Sequence, residues 1–85
     1  MEIINFDGSS MGHVGDCEMN KAFLDVQKRY LKEKLFYRGY LYLNEVYESF
    51  GVRWNPKKAN VCWHDKPLSI ETEQTGENEF MITVE

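Results

Sequence analysis

The sequence predicts an α+β fold, with one long amphipathic helix and one short helix packed on a small, mainly antiparallel sheet that ends in a C-terminal β-hairpin. Three observations lead to this class. Asp16 opens a stretch whose apolar residues recur at helical spacing. Two runs near the C-terminus alternate apolar and polar residues, as half-buried strands do. The chain has 85 residues, which is material for a single core that buries about 60–65% of the unfolded surface. The expected organisation is therefore one domain over 1–85, with 7–15 as a loop.

Each element has a local cause. Residues 1–6 (MEIINF) are β-prone and run into the turn signal Asp7-Gly8-Ser9-Ser10, so a short strand followed by a flexible segment is expected. The Asp16 carboxylate can accept from the exposed N–H groups of a first helical turn, and Glu18 adds favourable charge there. Met19, Phe23, Val26 and Tyr30, with Ala22 beside them, draw one apolar stripe, and the helix is predicted to end between Lys34 and Gly39. Tyr40 to Leu43 form a strand-like lead into Asn44, a second N-cap candidate, and Gly51 stands where a left-handed residue closes the short helix. Asn55-Pro56 marks a loop, and Ala59, Val61 and Trp63 suggest a third extended segment before the turn at Asp65-Lys66-Pro67. Leu68, Ile70 and Thr72 make one strand, and Phe80, Ile82 and Val84 another. Gln74 to Asn78 is the predicted hairpin loop, with Gly76 in its bend. A meander of the three C-terminal segments, which the N-terminal strand could join, would cover the long helix.

Composition narrows the function classes. The chain is 42% hydrophobic and 28% charged, with two Trp, five Tyr and five Phe, most of which are expected in the core. The net charge of −4 argues against a general phosphate-backbone binder. Its distribution says more. Between residues 27 and 58, eight Lys and Arg face three Glu. From residue 65 onward, six carboxylates face Lys66 alone. The basic half includes the helix and Arg53-Trp54-Asn55-Pro56-Lys57-Lys58, and the acidic half is the hairpin. The opening residues carry neither a basic run nor a long apolar one, so no signal peptide is expected. No stretch approaches the length of a membrane span, and two cysteines are too few for a secreted disulfide framework. A cytoplasmic setting and no membrane partner are the expectation.

Gly39-Tyr40-Leu41-Tyr42-Leu43-Asn44-Glu45-Val46-Tyr47, followed by Phe50-Gly51, a short basic linker and Trp63, resembles small proteins encoded by phages and prophages of Gram-positive bacteria. The likeness covers about residues 39–84. It implies a phage or mobile-element origin, within the cytoplasm of a bacterial host, and it assigns no catalytic residue.

Four constellations bear on function. His13-x-x-x-Cys17 and Cys62-x-His64 together supply four ligands of the kind a tetrahedral zinc site uses, and account for every Cys and His in the chain. Cys17 at a helix N-terminus could be a nucleophile with His13 or His64 as base, but no oxyanion loop or flanking motif accompanies it, and no enzymatic activity is expected. Arg53, Trp54, Lys57 and Lys58 interleave cations with an aromatic, as single-stranded nucleic-acid sites do. Glu71, Glu73, Glu77 and Glu79 form an acidic hairpin that could imitate phosphates toward a basic channel. The expected function is non-enzymatic and cofactor-free: a protein-binding regulator or inhibitor using the acidic hairpin. The alternative is a nucleic-acid-binding or zinc-stabilised regulator.

Overall fold

The computed structural model describes residues 2–53, 55–64 and 66–85. Trp54 of the basic patch and Asp65 of the predicted turn lie outside the described residues. Along the chain run β1 (Glu2–Phe6), α1 (Cys17–Arg38), β2 (Tyr40–Tyr42), α2 (Leu43–Ser49), a 3₁₀ turn (Pro56–Lys58), β3 (Cys62–His64), β4 (Ile70–Gly76) and β5 (Glu79–Val84). The α+β class and the long and short helices are as expected.

The strands pair differently from the predicted meander. β5 lies between β1 and β4 in one antiparallel sheet, and β2 pairs antiparallel with β3 in a separate two-stranded sheet. Cys62 to His64 thus face Tyr42 to Tyr40 rather than the hairpin. Ile4, Phe6, Ile70, Phe80, Ile82 and Val84 project from the inner face of the larger sheet into a core shared with Leu24 and Leu31 of α1. Burial of each such side chain is worth about 1.5–3 kcal/mol. Leu41, Leu43, Val46, Phe50 and Trp63 continue the same core through β2, α2 and β3.

The ends of α1 follow their predicted chemistry. Asp16 has an extended backbone, and its carboxylate accepts from the N–H groups of Glu18 (2.9 Å) and Met19 (3.2 Å). Gly39 takes a left-handed φ of 83° and donates its N–H to the Leu35 carbonyl. Only a residue without a side chain adopts that turn at little cost.

The face that α1 buries is not the predicted one. Asn20, Leu24 and Leu31 are buried, with Cys17, Phe23 and Leu35 packed beside them, while Met19, Val26 and Tyr30 face solvent. Asn20 hides this pattern because it reads as polar, yet its side chain is fully buried. Its amide accepts from the Val14 N–H (2.9 Å) and donates to the Val14 carbonyl (2.8 Å) and to Oδ1 of Asn78 (2.6 Å). With those bonds made, the buried amide carries little penalty.

That same network fastens the predicted loop at 7–15. Asn78 Nδ2 also reaches the Val14 carbonyl, His13 Nε2 bonds the Asn78 carbonyl at 2.7 Å, and the Met11 N–H donates to the Gly51 carbonyl. Gly51 has a left-handed φ of 72°, and a side chain there would run into the backbone of Gly12. Close approach and conformation both call for glycine.

Two further details differ. α2 begins at Leu43 rather than after Asn44; the carboxylate of Glu45 accepts from the Tyr42 N–H. Asn44 is buried and instead clamps the backbone of Asn55 from both sides. The hairpin loop is only Glu77-Asn78, because β4 continues through Gly76 past an irregularity after Gln74. Asn78, not Gly76, takes the positive φ, at 57°. Asparagine tolerates that conformation better than most residues do.

Candidate protein-binding face

Strand alternation sorts the acidic residues. Since Phe80, Ile82 and Val84 point inward, Glu79, Met81 and Thr83 point outward. The register then sets Ile3, Thr83 and Glu71 in one row across the three strands and Asn5, Met81 and Glu73 in the next. Glu79 stands at the end of β5 and folds its carboxylate toward Gly76. The outer sheet face therefore carries Glu71, Glu73 and Glu79 around an apolar centre of Ile3 and Met81. Glu77 sits in the adjoining turn. All four glutamates are exposed, and no ion pair among the described residues engages them.

The basic residues are used differently. Glu45 receives Lys34 on one oxygen (3.2 Å) and Arg38 on the other (2.5 Å), so one carboxylate ties the C-terminal turns of α1 to the start of α2. The Arg38 guanidinium, foremost, holds the Glu45 carboxyl down to about 2, helped by the Tyr42 N–H and by Lys34 against the opposing effect of burial. Arg38 also lies over the Tyr40 ring, 4.0 Å from its centre. Lys58 is bonded to Glu2, and this partner raises its pKa. Arg53 and Lys57 are exposed. The candidate nucleic-acid patch thus loses Lys58 to an internal ion pair.

The four candidate zinc ligands do not meet. Cys17 begins α1, and His13 is held beside it by Asn78 and the Phe6 ring, 5.3 Å between centres. Cys62 and His64 pair with Tyr42 and Tyr40, at the other end of a helix about 33 Å long. No group of three or more His, Cys, Asp or Glu suited to a metal ion occurs among the described residues. Both cysteines are half-buried and free thiols, and the Nε2 of His13 is already bonded to a carbonyl.

The sequence reading placed most aromatics in the core and so missed the exposed ones. Phe36 and Tyr37, at the end of α1, are 81% and 83% exposed, and Tyr40 and Tyr42 are also open. Spacing gave no warning of this, since Met19, Val26 and Tyr30 recur as a buried stripe would. A groove of about 470 Å³ adjoins this end, lined by Lys32, Leu35, Phe36, Lys66, Pro67 and Leu68. No described helix is long and apolar enough to cross a membrane.

No family model, curated protein or solved structure matches the chain.

Proposed function

We propose that this is a non-enzymatic protein-binding regulator or inhibitor, of phage or mobile-element origin, that engages a basic protein partner with the outer face of its larger sheet. The observation that carries the reading is the union of Glu71, Glu73 and Glu79 on one open surface around Ile3 and Met81, with Glu77 at its tip. An apolar centre within a charged rim is the usual anatomy of a recognition surface. A partner whose own function is to hold nucleic acid fits best, because carboxylates spaced along a strand can take the places of phosphates in its basic channel. A stoichiometric inhibitor of that kind needs no catalytic cleft and no cofactor.

Affinity capture from the native host tests this with two baits, the native chain and a variant with Glu71, Glu73, Glu77 and Glu79 all changed to Gln. A partner retained by the native chain, eluted by salt and absent from the variant supports the proposal. A partner retained equally by both contradicts it.

A further inference from the structure

The larger sheet has β1 and β4 at its two edges, and the edges are not alike. Ser69 and Glu85 exchange both main-chain hydrogen bonds, so in the antiparallel ladder that continues from them Glu71 and Glu73 turn their N–H and C=O groups toward β5. Thr72 and Gln74 then turn theirs away from it, to the outside of the sheet. No main-chain pairing among the described residues meets them there. The opposite edge is partly closed. The same alternation, carried across β5, aims the Asn5 carbonyl outward, and Ser10 Oγ from the 7–15 loop donates to it at 3.5 Å.

The surroundings of the open edge select its occupant. On the inner side a cleft of about 240 Å³ separates β4 from α1, lined by Lys21, Leu24, Asp25, Thr72, Gln74 and Phe80. On the outer side Glu71 and Glu73 project from the same strand, exposed and without an ion pair among the described residues. A strand added here would lay one set of side chains over the cleft and the alternate set beside the two glutamates, about 6.8 Å apart. Small apolar residues suit the first set, and Lys or Arg the second. A second copy does not fit. Setting two β4 edges antiparallel, with Thr72 opposite Thr72 or Gln74, brings Glu73 of one against Glu71 or Glu73 of the other, and like charges directly opposite are destabilising.

We infer that the outer edge of β4 takes up an extended segment of the protein partner as an antiparallel strand, its main chain bonded to Thr72 and Gln74 and its alternate Lys or Arg side chains beside Glu71 and Glu73. The inference rests on the acidic sheet face being the binding surface. It adds the main-chain contact that fixes the direction and register of the partner's segment. The irregularity after Gln74 ends the pairing. Two edge residues offer at most four main-chain hydrogen bonds, so the segment alone binds weakly and the rest of the face supplies the remainder.

An NMR titration of the full chain with a hexapeptide of alternating Lys and Val, blocked at both ends, tests the inference. The peptide is expected to shift the amides of Thr72 and Gln74 and to slow their exchange. N-methylation of its valines, whose N–H groups meet β4 in the antiparallel register, is expected to weaken binding at least about tenfold. N-methylation of its lysines, whose N–H groups face away, is expected to leave affinity within about twofold. Absence of binding overturns the inference, as does equal binding of the valine-methylated peptide. Loss on methylating the lysines instead overturns its antiparallel sense. In the full chain, Gln74→Pro removes an outward N–H that belongs to no ladder bond, so the unfolding midpoint is expected to stay near native. Loss of the captured partner by this variant supports the inference. Retention by Gln74→Pro, with loss in the four-fold glutamine variant, overturns the edge contact and leaves the sheet-face reading standing; the converse result overturns the sheet-face reading.

Discussion

Glu45 and Asn20 are single residues on which long-range order depends, and each has a distinct experimental signature. The Glu45 carboxyl is held at about 2 by Arg38, the Tyr42 N–H and Lys34, below the value near 4.3 of an unfolded chain. A group whose pKa falls on folding contributes stability above its unfolded pKa and loses it as pH falls toward its folded one. The contribution is therefore whole at neutral pH and disappears between about pH 4.5 and pH 2. It is worth at most about 3 kcal/mol at 1.36 kcal/mol per unit. Glu45→Gln should lower stability in urea titrations at pH 7 and flatten the acid limb across that window. Asn20 acts by hydrogen bonding alone. Asn20→Ala removes the acceptor of the Val14 N–H and the donor to Asn78 Oδ1, leaves the Val14 carbonyl with Asn78 Nδ2 alone, and should cost about 1–3 kcal/mol. Faster amide exchange at Val14, with the middle of α1 still protected, would identify loosening of the 13–15 segment as the cause.

At the scale of elements, the decisive quantity is the rotation of α1 about its axis. Leu31→Ala should destabilise by about 2–5 kcal/mol in urea unfolding, whereas Val26→Ala should stay within about 0.5 kcal/mol. The reverse order would mean that the other apolar row is the buried one. The limits of α1 were legible in Asp16 and Gly39, since caps are local chemistry. The alternation in β4 and β5 was legible for the same reason, and it already divided Glu71, Glu73 and Glu79 from Ile70, Phe80 and Ile82. The rotation of α1 was not legible, because two apolar rows compete and the buried one contains an asparagine whose partners are Val14 and Asn78, the latter 58 residues away. The β2–β3 pairing was equally hidden. Three-residue strands carry almost no pattern, and nothing local to Leu41 or Trp63, 22 residues apart, announces that they pair. The zinc constellation failed at this level too, since spacing within each pair says nothing about the helix that separates the pairs.

Across the whole molecule, the uneven charge seen in sequence becomes a division of surfaces. Much of the basic excess is consumed internally, at Lys34, Arg38 and Lys58, and the acidic excess is left outside on one sheet face. The most direct measurement of the central claim is the affinity for that captured partner as a function of salt, for the native chain and the glutamine variant. The account predicts that native affinity falls steeply as salt rises, and that the variant binds at least about tenfold more weakly at low salt with an unchanged unfolding midpoint. Equal affinities with no salt dependence would contradict it.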